Sequence, residues 1–227
     1  MATTQHSEPP EPLQRPFERP EPEVLRELWD RLHVENRHFM LAFVGEEGSG
    51  KSLTAGRVAA EIDQNFNAQK VHFEPDTFLE LLRDEQYEPG DVYVLDEAGV
   101  SLGVRTWHDE AQIMVNKAFQ LIRSHNIGVI FTLPRLGELD SQTQGRLQAF
   151  YEITSRVDED YVRGKWKFID PDRTGSGQDY KKYPRVRRNG QKQRVRSVAF
   201  KPPTGDWVGE YHRRKNAHQK ETYDDAI

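Results

Sequence analysis

Six apolar residues, Phe39-Met40-Leu41-Ala42-Phe43-Val44, run without a break into Gly45-Glu46-Glu47-Gly48-Ser49-Gly50-Lys51-Ser52. An apolar run that stops at glycines reads as a buried strand feeding a tight turn. Gly45, Gly50, Lys51 and Ser52 fit the spacing G-x-x-x-x-G-K-[ST], and the residues after Lys51 carry a helical pattern. Glycines let successive backbone N–H groups converge on phosphate oxygens, and the start of a helix adds positive potential. A chance glycine-rich turn is the alternative, and the flanking strand and helix argue against it. The loop Gly45–Ser52 with Leu53 is therefore the expected nucleotide-binding segment. Lys51 is expected to reach the β- and γ-phosphates, and Ser52 to ligate Mg²⁺. Glu46 and Glu47 are expected to point to water.

The rest of the chain alternates strand and helix. Residues 1–22 hold six of the thirteen prolines and cannot bury a core, so they read as a disordered tail. A helix is expected over Glu23–Leu32, with Val24, Leu25, Leu28, Trp29 and Leu32 on one face. Strands are expected at Phe39–Val44, Lys70–Phe73, Asp91–Leu95 and Ile127–Leu133, with Phe150–Ile153 as the last core strand. Helices follow Lys51, follow Asp76 as a cap, span Thr106–Arg123 with a buried stripe through Ile113, Met114, Ala118, Leu121 and Ile122, and run near Asp140–Gln148. This order predicts an α/β fold with a mostly parallel sheet between helices. The expected units are the tail (1–22), a core (23–156) and a small β-rich basic appendage (157–227).

A second carboxylate element supports the phosphate loop. In VYVLDE, Asp96 and Glu97 end an apolar strand, where ligands of open α/β sheets bind. Asp96 is a candidate Mg²⁺ ligand and Glu97 the candidate base for the water that attacks the γ-phosphate. An adjacent glutamate favours hydrolysis over transfer to a small acceptor. Thr132 ends the Ile127–Leu133 strand. If that strand lies between the first and third, its hydroxyl faces the γ-phosphate; otherwise it is an ordinary strand threonine. No N-K-x-D segment follows this strand, and the earlier Asn116-Lys117 continues with Ala118 and Phe119, which favours ATP over GTP.

GEEGSGKS, VYVLDEAGVSLGVRTW and FQLIRSHNIGVIFTLPRL, in this order, resemble P-loop ATPases of the FtsK–HerA superfamily, among them the small archaeal plasmid and virus ATPases described as Zot-like or genome-packaging. The resemblance covers roughly Val34–Ser155. It implies a RecA-like (ASCE) sheet in which the sensor strand separates the phosphate-loop strand from the Asp-Glu strand. It also implies a homo-oligomeric ring, such as a hexamer, that moves DNA, with arginines completing a neighbour's site. Arg123 matches the family's arginine before the sensor strand; Arg105 and Arg146 are weaker candidates, and surface ion pairs are the alternative for all three. Many members end the sensor strand with Gln, whereas this chain has Thr132-Leu133-Pro134. The implied activity is a Mg-ATP-hydrolysing translocase or packaging motor for double-stranded DNA of a virus or plasmid. An ATP-gated assembly or secretion factor and a small-molecule kinase are the rival readings.

Charge is distributed unevenly. Lys181–Lys220 holds thirteen Lys/Arg against two acids, a segment charge of +11, which leaves −16 on the rest of a chain of net charge −5. A hairpin is expected to turn at Asn189-Gly190, pairing Arg187 with Lys192, Arg185 with Arg194 and Tyr183 with Arg196. Like charges facing each other destabilise a ribbon, so folding alone would not select this ladder. A phosphate backbone would relieve it, without base specificity, and so would an acidic face of a neighbouring subunit. Trp207–Lys220 reads as a basic helix; Arg213, Arg214 and Lys215 either extend the track or, as the default, form a solvated helix face. His212 and His218 do not have metal-ligand spacing. The chain has no cysteine, which excludes disulfides, thiolate metal sites and a cysteine nucleophile. No apolar stretch nears the ~20 residues that span a bilayer, and no signal-peptide core opens the chain; the expected setting is cytoplasmic, that of the host if viral.

Overall fold

The computed structural model describes residues 22–96, 122, 125–138, 144–157, 161–170 and 180–225. The N-terminal helical segment, α1, begins as a 3-10 turn (Glu23–Leu25), continues as α-helix (Arg26–Trp29) and widens to π-helical turns (Asp30–Val34). Then come β1 (Phe39–Val44), α2 (Lys51–Ile62), β2 (Val71–His72), α3 (Pro75–Arg83), β3 (Val92–Leu95) and β4 (Gly128–Leu133). The chain goes on through β5 (Ala149–Val157), β6 (Tyr161–Asp170), β7 (Tyr180–Lys182), β8 (Arg185–Arg188), β9 (Gln191–Arg194), β10 (Val198–Phe200) and a long C-terminal helix, α4 (Trp207–Asp225).

β1 is central because both of its faces are apolar. Phe39, Leu41 and Phe43 join the core shared with α1, α2 and α4. Met40, Ala42 and Val44 join the core under α3. Strand alternation sends successive side chains to opposite faces, so an unbroken apolar run demands cover on both sides. Each fully buried large side chain contributes about 1.5–3 kcal/mol.

The sheet runs β10-β6-β5-β1-β4-β3-β2, with β7 also paired to β6. From β5 to β2 the pairings are parallel; β6, β7 and β10 add antiparallel. The sensor strand β4 thus lies between β1 and β3, pairing Phe43 with Thr132 on one side and Phe131 with Leu95 on the other.

The structure corrects several local expectations. Phe150–Ile153 lies within β5 but does not end the core sheet, because strands from both sides of residue 157 share it. Tyr151 and Trp166 explain the continuity: both rings are fully buried 6.0 Å apart, and the Tyr151 hydroxyl lies 3.1 Å and 2.9 Å from the carbonyls of Val162 and Val198. Asp76 does not cap α3; Pro75 occupies the first helical turn behind Glu74, a position that needs no N–H. Of the expected stripe in Thr106–Arg123, Ile122 is buried and the other residues lie outside those described. The helix expected near Asp140–Gln148 falls partly outside them too.

A buried polar knot fixes the far end of the sheet. Lys70 Nζ bridges Asp63 Oδ2 at 2.6 Å and Asp91 Oδ1 at 2.8 Å, while Asp63 Oδ2 also accepts from the Val92 amide. Removing one partner of such a buried pair costs about 3–5 kcal/mol.

Candidate nucleotide site

β1 delivers the loop directly to α2. The Gly45 amide donates to the Leu133 carbonyl at 3.3 Å, so the loop starts in register with the sensor strand. Gly50 takes φ +91° just before α2, a left-handed conformation that a side chain resists. Lys51 opens the helix but is only 6% exposed, because its ammonium turns back to donate to the carbonyls of Gly45 and Glu46, each at 2.8 Å. Ser49 Oγ is buried with no hydrogen-bond partner among the described residues. Gly48, Glu46 and Glu47 are exposed, and Ser52 and Leu53 are half-buried along the start of α2.

Asp96 stands at the C-terminal end of β3 and is fully buried. Its amide donates to the His72 carbonyl at 2.8 Å, which fixes the backbone. Thr132 Oγ1 donates to Asp96 Oδ1 at 2.8 Å, so the sensor strand touches the site through this carboxylate. The Tyr211 hydroxyl donates to Asp96 Oδ2 at 2.9 Å, and Lys215 Nζ lies 3.2 Å from the same oxygen. The Ser52 side chain lies beside the Tyr211 hydroxyl. Burial first, and the Asp96 charge next, push the Tyr211 phenol well above its ordinary pKa, so it remains a donor at neutral pH.

These residues fit a metal–triphosphate. The unpartnered Ser49 hydroxyl, the inward ammonium of Lys51 and the left-handed Gly50 form a cradle for anionic oxygens, and Ser52 and Asp96 are hard oxygen donors suited to Mg²⁺. A cavity of about 390 Å³ opens beside the loop, between Gly48, Gly50 and the first turn of α2 on one side and a wall made by Pro202, Pro203 and α4 on the other. Glu97, Arg105 and Arg123 lie outside the described residues. Arg146 is exposed beside the start of β5.

The basic ribbon forms as β8–β9, with Arg185 opposite Arg194 and Arg187 opposite Lys192. Asn189 and Gly190 both take positive φ, as a two-residue turn requires. The four basic side chains are exposed while Val186 is buried beneath them. The ladder stops at Arg185–Arg194, so Tyr183 and Arg196 do not form its next rung. The reason is Pro184, which has no N–H for a further bridge and instead accepts from the Val195 amide at 2.9 Å. Tyr183 lies against Lys167, whose Nζ is 5.5 Å from the ring centre.

The expected extension of this track along α4 is corrected. Arg214 turns inward to the carbonyls of Ala68 and Val71, Lys215 turns to Asp96, and Arg213 pairs with Glu210 on its own helix. Tyr211 and Lys215 are the site residues that sequence reasoning missed. Their only signal is the four-residue recurrence Trp207, Tyr211, Lys215, which marks one helical face. Nothing in it points to a carboxylate 115 residues upstream.

Among the described residues, no helix is long and apolar enough to cross a membrane. No protein-family profile matches the chain. Protein B-251 of Sulfolobus spindle-shape virus 1 is 29% identical over 175 residues, 67% of this chain and 60% of that relative, so the chain spans about three fifths of its length. Among solved structures, the N-terminal domain of zonular occludens toxin from Neisseria meningitidis aligns over 64% of this chain and 93% of its own, at 12% identity and a TM-score of 0.37. The genome packaging NTPase B204 of Sulfolobus turreted icosahedral virus 2, solved with ATP-γS, covers 53% of this chain and 77% of its own, at 15% identity and 0.32. The DnaC helicase loader covers 55% and 76%, at 16% and 0.28. The glycine-rich loop after β1, the placement of β4 between β1 and β3, and the carboxylate at the tip of β3 give this chain the mostly parallel α/β sheet of a RecA-like architecture.

Proposed function

We propose that the chain hydrolyses Mg-ATP and works as a homo-oligomeric ring that moves or packages double-stranded DNA of a virus or plasmid, in the host cytoplasm. The observation that carries the hydrolytic part is the Thr132–Asp96 hydrogen bond at the tips of β4 and β3, strands adjoining the β1 loop that delivers Lys51 and Ser52. Loop amides and Lys51 would hold the phosphates, and Ser52 and Asp96 the Mg²⁺. When bound, the metal neutralises phosphate charge as it develops on the leaving group. Glu97 follows Asp96 in the chain and is assigned the role of taking the proton from the attacking water. Arg123 is assigned to the site of a neighbouring subunit. The exposed cationic ribbon supports a polyanion partner, and the relative in a Sulfolobus virus supports a viral setting.

The test measures ATP turnover with and without long duplex DNA. Turnover is expected to rise with DNA, and to fall about 100-fold or more in Lys51→Ala and in Glu97→Gln. Slow turnover that ignores DNA would reassign the chain as an ATP-gated assembly factor. A requirement for a small acceptor would make it a kinase.

A further inference from the structure

The inward face of α4 ends on the residues reserved for the cation. Trp207 anchors it: the ring lies on Gly56 of α2, where a Cβ would stand 2.4 Å from ring carbon, and meets Phe66 edge-on at 5.3 Å. One turn further along, the Tyr211 hydroxyl donates to Asp96 Oδ2 beside Ser52, and Ser52 and Asp96 are the residues that would hold a Mg²⁺. A turn beyond that, Lys215 places an ammonium 3.2 Å from the same oxygen, with side-chain exposures of 18% for the lysine and 0% for the aspartate. A buried carboxylate needs a counter-charge. Here the C-terminal helix supplies it.

We propose that Tyr211 and Lys215 hold Asp96 in place of a divalent cation, so that docking of α4 and binding of metal–nucleotide compete for one carboxylate. Loading the site makes α4 release Asp96; emptying it lets the helix return. The inference rests on the nucleotide reading above and adds a latch to it. The latch lowers apparent affinity by the fraction of molecules in which the helix is docked. A nucleotide without metal makes no demand on Asp96 and leaves the latch in place.

The experiment uses the full chain, a fluorescent non-hydrolysable ATP analogue with Mg²⁺ or with EDTA, and hydrogen exchange of residues 207–225. With Mg²⁺ the analogue should speed exchange in 207–225; with EDTA it should not. Lys215→Met should bind the analogue about tenfold more tightly with Mg²⁺, and within about twofold of wild type with EDTA. Gly56→Leu, which displaces Trp207 and so loosens α4 without changing Asp96, Tyr211 or Lys215 themselves, should shift affinity in the same direction. Unchanged or increased protection of 207–225 with bound Mg-analogue would overturn the latch and make α4 a fixed wall. Weaker binding by Lys215→Met would overturn it too, making that lysine a phosphate ligand. No binding by wild type or either variant would instead sink the nucleotide reading, and the latch with it.

Discussion

His72 sits at the end of β2 with its ring packed on Phe78 and Tyr93. Its Nδ1 lies 3.0 Å from the Thr77 hydroxyl, and its Nε2 is buried without a partner. Burial, and then the nearby Arg214 guanidinium, depress its pKa from 6.5 to about 4. The native ring is therefore neutral while the unfolded chain binds a proton below about pH 6.5. Between those two pH values the unfolded state holds more protons, so stability falls as pH falls from about 6.5 to about 4. The full loss is on the order of 3 kcal/mol. His72→Phe should flatten this part of the acid limb by up to about 1.4 kcal/mol per pH unit, read from urea midpoints followed by circular dichroism. An unchanged slope would mean that the native ring already titrates normally.

The β8–β9 ribbon is the element whose folding and purpose diverge. Its turn is well formed and Val186 gives it one buried contact, while the Arg187 amide donates to Glu23 Oε1 at 3.0 Å and pins it to α1. Its exposed rungs, however, set cation against cation. Neutralising Arg185, Arg187, Lys192 and Arg194 to Gln should therefore leave thermal stability equal or slightly higher. It should also weaken duplex binding and reduce the slope of log affinity against log salt by up to about one per side chain. A normal salt slope in the variant would assign the ribbon to a protein partner. α4, the other basic element, turns Arg214 and Lys215 into the molecule and pairs the exposed Arg213 with Glu210 on its own helix.

At the scale of the whole molecule, the five parallel strands and their loops bring Lys51, Ser52, Asp96 and Thr132 to one edge, and the antiparallel strands β6 and β10 carry the chain back to place α4 across it. A ring in which each subunit completes its neighbour's site should not behave as a sum of independent subunits. Doping wild-type protein with Lys51→Ala subunits should lower ATP turnover more steeply than the fraction of mutant added. A strictly proportional decline would mean that each subunit hydrolyses alone.

The amino-acid sequence by itself determined what local chemistry can dictate. Gly50 specifies the sharp entry into α2 because few other residues allow its left-handed backbone, and the two-faced apolar run of β1 requires a covered sheet. Asn189-Gly190 specifies the hairpin for the same conformational reason. Tertiary structure alone decided what faces Asp96. Thr132, Tyr211 and Lys215 come from 36 to 119 residues away, and their approach depends on strand order and on Trp207 seating against Gly56. A buried charge takes its partners from whatever the fold brings near, and no local pattern in the chain records that choice.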